Sequence, residues 1–537
     1  MFERLVYNDF YEYLVTNKLL CEDNSGFKYG DSTIFRLISL LNSIYNGLDS
    51  NKEVILVFLD ISKAFDRVWH PGLLFKLKQL GIVDPLYSWF QSYLTDRSQR
   101  VVIAGKSSTY QNLQGGVPQG SILGPLLFLI YINDMTKHLQ LQAHLYADDT
   151  TLVEVVDNPI TSIQKINRDL QTLTRWAEQW RVTFNAIKTH FMRVSNKNKK
   201  PVLDRIYLGN SVITEVSKFS NLGLIFNNKL TWSDHVEYII NRASSRLTTI
   251  NRIKHKLPRL ALENLYTSMV RPILDYADIL YNNCTLSIGR SIEGVQRRAA
   301  LICTGAYRHT EHQSLLREVG WLPLSARRKI HSLNTYYKII KGLCPKYITS
   351  ILPTQVQNIT NYNLRNRSNR RPKFTRLKSS QNSFIPWATR EWNKLDINIR
   401  ESPSLNIFKN KITPKTTFSH YNRLCSGYNG KLLTRLRLGL SGLHAHLFKY
   451  NFKDSPICPL CQSEPETSYH FFLSCPTHHL ARYHFFQMLS SELNLDPINS
   501  TNILKTILYG QVDLNLQPIL LRIVYQYIEL TGRFSQG

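Results

Sequence analysis

The feature that most restricts the fold of this chain is the run Val54–Leu59, six consecutive apolar residues closed by Asp60. A run this short and this continuous predicts a strand buried on both faces, so the sheet that holds it must carry layers on either side. Its terminal acid then emerges at the sheet's edge. Leu145 to Val153 predicts a partner, a strand, a tight turn and a second strand, with Asp148 and Asp149 at the hairpin tip. Ile163, Ile166, Leu170, Leu173, Ala177 and Trp180 recur at helical spacing and predict an amphipathic helix packed on that sheet. A second helix is expected from Asp234, with Val236, Ile239, Ala243, Leu247, Ile250 and Leu257 on its apolar side and Asp234 and Glu237 as a capping box.

Three acids at neighbouring strand ends suit one chemistry in particular. In-line attack of a hydroxyl on a phosphoanhydride is stabilised by two magnesium ions about 3.5–4 Å apart, and magnesium needs only a few carboxylates plus water and substrate phosphates. An Asp-Asp pair in a turn is ordinary when alone, but here Gln114-Gly115-Gly116-Val117-Pro118-Gln119-Gly120-Ser121 lies between the two acidic elements. Glycines allow a backbone to approach a ligand closely. Ser121 opens an apolar stretch expected to be a helix interrupted at Pro125.

The order Phe58-Leu59-Asp60-Ile61-Ser62-Lys63-Ala64-Phe65-Asp66, Gly116-Val117-Pro118-Gln119-Gly120-Ser121 and Tyr146-Ala147-Asp148-Asp149 resembles motifs A, B and C of reverse transcriptases. The Lys-Ala-Phe-Asp form is similar to non-LTR retrotransposons of the jockey and CR1 type. The resemblance implies an α+β fold: a right-hand polymerase palm of antiparallel sheet and helices, a helical thumb and a small C-terminal zinc-binding region. It implies two Mg²⁺ ions held by Asp60, Asp148 and Asp149, with template RNA, a DNA primer or target and deoxynucleoside triphosphates as partners. It also implies that Phe65 is a steric gate against the ribose 2′-hydroxyl and that Gly116, Pro118, Gln119 and Gly120 contact substrate. Asp66 is expected to make a structural hydrogen bond. Asn185-Ala186-Ile187-Lys188-Thr189 resembles motif D, which makes Lys188 the candidate general acid toward pyrophosphate. Phe219 with Leu222-Gly223 resembles motif E, the primer-grip turn, and the basic face of the helix from Asp234 then suits duplex phosphates.

Gly26-Phe27-Lys28-Tyr29-Gly30-Asp31-Ser32-Thr33 resembles the finger segment preceding motif A. The family carries more fingers and an endonuclease domain upstream, so the chain is expected to be a 5′-truncated copy. The expected domains are partial fingers at 1–45, palm at 46–230, helical thumb and connection at 231–350, a basic linker at 351–420 and a C-terminal region at 421–537.

Within that last region, Cys458-Pro459-Leu460-Cys461, His470 and Cys475 form a four-ligand zinc pattern, in which His478, His479 or His484 are alternatives to His470. The zinc is expected to be structural. The 66 lysines and arginines against 39 acids, a formal charge of +27, point to a polyanionic partner. No run of eighteen apolar residues and no N-terminal apolar segment is visible, so neither a membrane span nor secretion is expected. The expected location is intracellular, in nucleus and cytoplasm. Function divides between an active polymerase and a catalytically inactive, nucleic-acid-binding remnant.

Overall fold

A computed structural model describes residues 2–197, 202–282, 284–356, 368–414, 420–497 and 502–534. The fold is mixed α+β, with one five-stranded sheet and many helices. The chain divides into two compact units. The first comprises Met1–His235, Ile279–Asn283 and Ser332–Phe408; the second comprises Val236–Asp278, Cys284–His331 and Lys409–Gly537.

In the first unit, helix α1 (Thr33–Asp49) leads into strand β1 (Glu53–Leu59), all seven of whose residues are buried. Helix α2 (Gly124–Tyr131) precedes the hairpin of β2 (Gln142–Tyr146) and β3 (Asp149–Val156). Helix α3 (Pro159–Gln179) then crosses to β4 (His190–Val194) and the short β5 (Thr214–Glu215). The strand order is β5-β4-β1-β3-β2, with β1 central and antiparallel to both neighbours. Both faces of β1 are covered, as its unbroken apolar sequence requires. Ile55, Val57 and Leu59 join one cluster with Leu126, Leu127 and Ile130 of α2 and Ile163, Ile166 and Leu170 of α3. On the opposite face Val54 lies so close to α1 that a Cβ on Gly47 would sit 2.6 Å from its Cγ2, and Phe58 stacks on Phe219 at 4.0 Å.

Helix boundaries differ from expectation in two places. Pro125 does not interrupt a helix but begins one, lying in the first turn of α2, where its missing N–H has no intrahelical partner to lose. The second expected helix runs Ser233–Ile253, so Leu257 lies beyond it and Asp234 lies inside the first turn. The Asp234 carboxylate accepts from Asn227 Nδ2 at 2.6 Å and pairs with Lys218.

Much of the 351–420 segment, read above as a basic linker, is folded. Helix Phe384–Asn393 buries Phe384, Ile385, Ala388 and Trp392, and Phe408 stacks on Tyr337 at 4.6 Å. Asp49 at the end of α1 accepts the backbone N–H of both Arg376 and Leu377, at 2.7 and 2.9 Å. The polar composition of the segment conceals these apolar residues at helical spacing. Arg365 and Arg367 of its basic run lie outside the described residues.

The second unit is helical. Its interior holds Glu318 between Arg259 and Arg437, at 2.8 and 2.7 Å, with all three side chains buried. Removing one partner of such a group strands a buried charge, at about 3–5 kcal/mol. No helix among the described residues is long and apolar enough to cross a membrane.

Candidate active site

The antiparallel register sets Leu59 opposite Thr150 and joins Tyr146 to Asp149 across a two-residue turn, Ala147-Asp148. Asp60, one residue past β1, and Asp149, the first of β3, therefore emerge at the same edge of the sheet. They line a cleft of about 360 Å³ with Lys188, His190, Phe219 and Asn221. Asp148 occupies the second turn position, after Ala147 at the positive φ of 56°. Such a conformation suits a tight hairpin turn but is unusual for alanine.

The acids repel one another. Burial, then the charges of Asp148 and Asp60, push the Asp149 carboxyl up from 3.8 to about 6. Asp148 is also raised, by burial and by Asp60, against a backbone hydrogen bond that opposes the shift. The nearby cation is Lys188, its Nζ 3.8 Å from Asp60 Oδ2 and its side chain mostly exposed. Its turn is tied to β1, because Asn185 donates its N–H to the Asp60 carbonyl at 2.8 Å while its Oδ1 accepts from Ile187 and Lys188. Phe219 and Asn221 belong to a separate hairpin fixed to the sheet edge, where Asn221 Nδ2 donates to Thr151 Oγ1 at 3.0 Å.

The glycine-rich segment is laced to the loop after Asp60. Gly116 N donates to Val68 O at 2.8 Å and Val117 N to Phe65 O at 2.9 Å. Gly116 has φ of +91°, and a Cβ there would lie 2.9 Å from the Asp66 carbonyl oxygen, so only glycine suits this crossing. Asp66 makes the kind of contact expected of it, accepting from Gln119 Nε2 at 2.7 Å. Gly120 also has positive φ, with open space where its Cβ would be. Pro118 caps the following turn through its carbonyl, which accepts from Ser121 Oγ at 2.7 Å. Phe65 is half-buried, stacked on Phe128 at 4.6 Å and edge-on to Phe27 at 6.0 Å.

In the second unit, Cys458, Cys461, His470 and Cys475 bring one ligand atom each within 4.8 Å of one another. Cys461 Sγ lies 3.3 Å from His470 Nε2, and the opposite ring nitrogen of His470 contacts Glu464 Oε2 at 3.0 Å. His478 instead packs on Phe471. A π-helical turn, His470–Ser474, makes the geometry possible: Cys475 N donates to His470 O, which places residues five apart on one side.

Sequence reasoning missed the support behind the Asp148 turn, Asn24 and Tyr347, which no local pattern marks.

A central strand and a neighbouring hairpin thus bring three aspartates to one edge of the sheet, an arrangement of the kind that divalent-metal phosphoryl transfer uses. Residues 2–238 match the family of reverse transcriptases (RNA-dependent DNA polymerases). It is 29% identical over 315 residues to the RNA-directed DNA polymerase from mobile element jockey of Drosophila melanogaster, covering 55% of this chain and 34% of that protein. The jockey enzyme of Drosophila funebris is 28% identical over 292 residues, covering 52% and 32%. The chain thus spans about a third of the length of these relatives. Apo telomerase from Candida tropicalis overlaps 56% of this chain and 49% of its own, at 12% identity and a TM-score of 0.33.

Proposed function

We propose that this chain is an RNA-directed DNA polymerase that extends a DNA primer on an RNA template. The observation that carries the reading is the convergence of Asp60, Asp148 and Asp149 at one sheet edge, inside a domain matching reverse transcriptases. The raised carboxyls of Asp148 and Asp149 support it, since partly buried acids set beside like charges are a mark of functional sites. Asp60 and Asp148 are the principal ligands of two Mg²⁺ ions and Asp149 assists. When bound there, magnesium supplies charge neutralisation at the reacting phosphates.

The remaining chemistry belongs to the chain's own groups. Lys188 stands beside Asp60 and is placed to give a proton to the departing pyrophosphate. Phe65, held on the aromatic stack with Phe128, is the gate that selects deoxyribose. Gly116, Pro118, Gln119 and Gly120 form the backbone surface against which substrate lies. In this reading the sheet and its helices are a right-hand palm, residues 1–45 are fingers and the helix from Ser233 begins a thumb. Cys458, Cys461, His470 and Cys475 hold a structural Zn²⁺; soft thiolates, burial and a carboxylate on the far nitrogen of His470 fit that ion. The partners are template RNA, primer or target DNA and deoxynucleoside triphosphates, and the site of action is intracellular, in nucleus and cytoplasm.

The test is incorporation of labelled deoxynucleotide on a primed poly(A) template with Mg²⁺, alongside Asp148→Asn and Asp60→Asn. Template-dependent product that both substitutions abolish, with template binding retained, is the expected result. Absence of product from the wild-type chain would instead leave a nucleic-acid-binding remnant.

A further inference from the structure

The turn that presents Asp148 has an unusual support. Segment 23–26 runs beside β2 as a parallel bridge: Leu145 N donates to Asp23 O and Ser25 N to Leu145 O, both at 2.9 Å. This places the Asn24 carboxamide, 5% exposed, against the turn. Its Oδ1 accepts from Ala147 N at 3.1 Å and Gly26 N at 2.9 Å, and its Nδ2 approaches Ala147 O at 3.4 Å. One side chain thus contacts both backbone polar groups of the residue that carries positive φ immediately before Asp148. Contact is close enough that a Cβ on Gly26 would lie 2.3 Å from Ala147 N.

The segment is itself fixed from behind by a directed chain of hydrogen bonds. Arg36 Nε donates to Ser25 Oγ at 2.7 Å; the serine hydroxyl lies 3.0 Å from Tyr347 OH; and Tyr347 OH donates to Asp31 Oδ1 at 2.7 Å. Because the tyrosine gives its proton to Asp31 and the serine accepts from Arg36, the middle bond runs from Ser25 to Tyr347. The Arg36 guanidinium also lies 4.2 Å from the centre of the Tyr347 ring.

We propose that Asn24 is a positioning residue for the metal-binding carboxylates: it locks the Ala147-Asp148 turn, and Ser25, Arg36 and Tyr347 hold Asn24 in place. The proposal deepens the polymerase reading and rests on it. A neutral amide suits the task, since it satisfies an N–H and a C=O of Ala147 without adding a fourth negative charge beside three aspartates.

The experiment uses the full chain and two variants, Asn24→Ala and Tyr347→Phe, the second removing one hydroxyl far from the cleft. Thermal melting and primer–template affinity report folding. Expected for Asn24→Ala is a kcat lower by about 10- to 100-fold, as for a small misplacement of reacting groups, with a several-fold higher Mg²⁺ concentration at half-saturation and unchanged KM for deoxynucleotide. Tyr347→Phe should move the same two quantities in the same direction, by less. Wild-type kcat and Mg²⁺ dependence in Asn24→Ala, or a loss only proportional to its unfolded fraction, would overturn the proposal. Should Asn24→Ala fail to fold, unchanged Mg²⁺ dependence in Tyr347→Phe would do so.

Mn²⁺ binding, followed by electron paramagnetic resonance with Asp148→Asn as the site-loss control, separates the two readings. A wild-type chain that binds Mn²⁺ but makes no DNA sinks the polymerase assignment, while weaker Mn²⁺ binding in the variants still supports the clamp. Equal binding in wild type and variants, or no Mn²⁺ site in any of them, overturns it.

Discussion

The Cys/His cluster and the aspartates at the sheet edge are sets of ligand-bearing side chains built on opposite plans. In the Cys/His cluster four ligand atoms already lie within 4.8 Å of one another, Cys458, His470 and Cys475 are buried, and Glu464 orients the imidazole. At the other site three carboxylates share a sheet edge, and burial, then the charges of Asp148 and Asp60, raises Asp149 to about 6. A soft-ligand site of four protein groups closes around its ion and leaves no open position, which suits structure. A hard-oxygen site supplied by few carboxylates remains incomplete until water and substrate phosphates join it. By this contrast the proposed zinc is required for the fold, whereas the proposed magnesium only offsets the repulsion of its own ligands.

The strongest attempt to break this contrast is Cys458→Ser with Cys461→Ser. Zinc measured by elemental analysis should fall to background and the C-terminal region should lose its cooperative melting, since apparent binding energies of structural zinc in small fingers are about 10–16 kcal/mol. Chelating Mg²⁺, by comparison, should stop synthesis and lower the circular dichroism melt by no more than about a few degrees. Native melting in the double variant, or no zinc in the wild type, would remove the distinction.

A milder change sharpens it. Glu464→Gln leaves all four ligands but weakens the hold on His470 Nδ1, and zinc affinity in a competition titration should drop by about 10-fold or more. An unchanged affinity would mean that the contact at 3.0 Å does not orient the ring.

The same two regions show what a sequence can disclose. The strand ending at Asp60 and the hairpin at Asp148-Asp149 were legible because burial on both faces leaves an unbroken apolar run, and a two-residue turn fixes which residues sit at its tip. The Cys-x-x-Cys turn was legible for the same local reason. His470 was the histidine expected there, with His478, His479 and His484 as alternatives; what the sequence did not show is the π-helical turn that brings it to Cys475 by changing the spacing from four to five residues. Pro125 misled because a proline at the start of a helix and one inside it look alike when the preceding residues are also apolar. Asp234 misled because its carboxylate has a better partner in Asn227. Asn24 and Tyr347 left no signal at all: what matters is their contact with residues more than a hundred and more than three hundred positions away.

The smallest expected effect concerns the sign of the carboxylates' contribution to stability. Asp149 titrates near 6 in the folded chain and its ordinary value is 3.8, so between those pH values the folded state holds a proton that the unfolded state has released. Stability without metal therefore falls as pH rises from about 4 through 6, and the full cost persists above that window. Asp149→Asn removes the titration. Without divalent metal it should melt on the order of a few degrees higher than wild type at pH 7.5, match it at pH 4, and lose its advantage as Mg²⁺ is added to the wild type. Since Asp149 is partly open to solvent, the shift should be modest. Glu464→Gln should move melting the other way, because that carboxylate supports a ligand rather than opposing its neighbours. An Asp149→Asn chain no more stable than wild type at pH 7.5 would mean that the cleft relaxes its acids apart in solution, and with that the case for a site held ready for cations would weaken at its root.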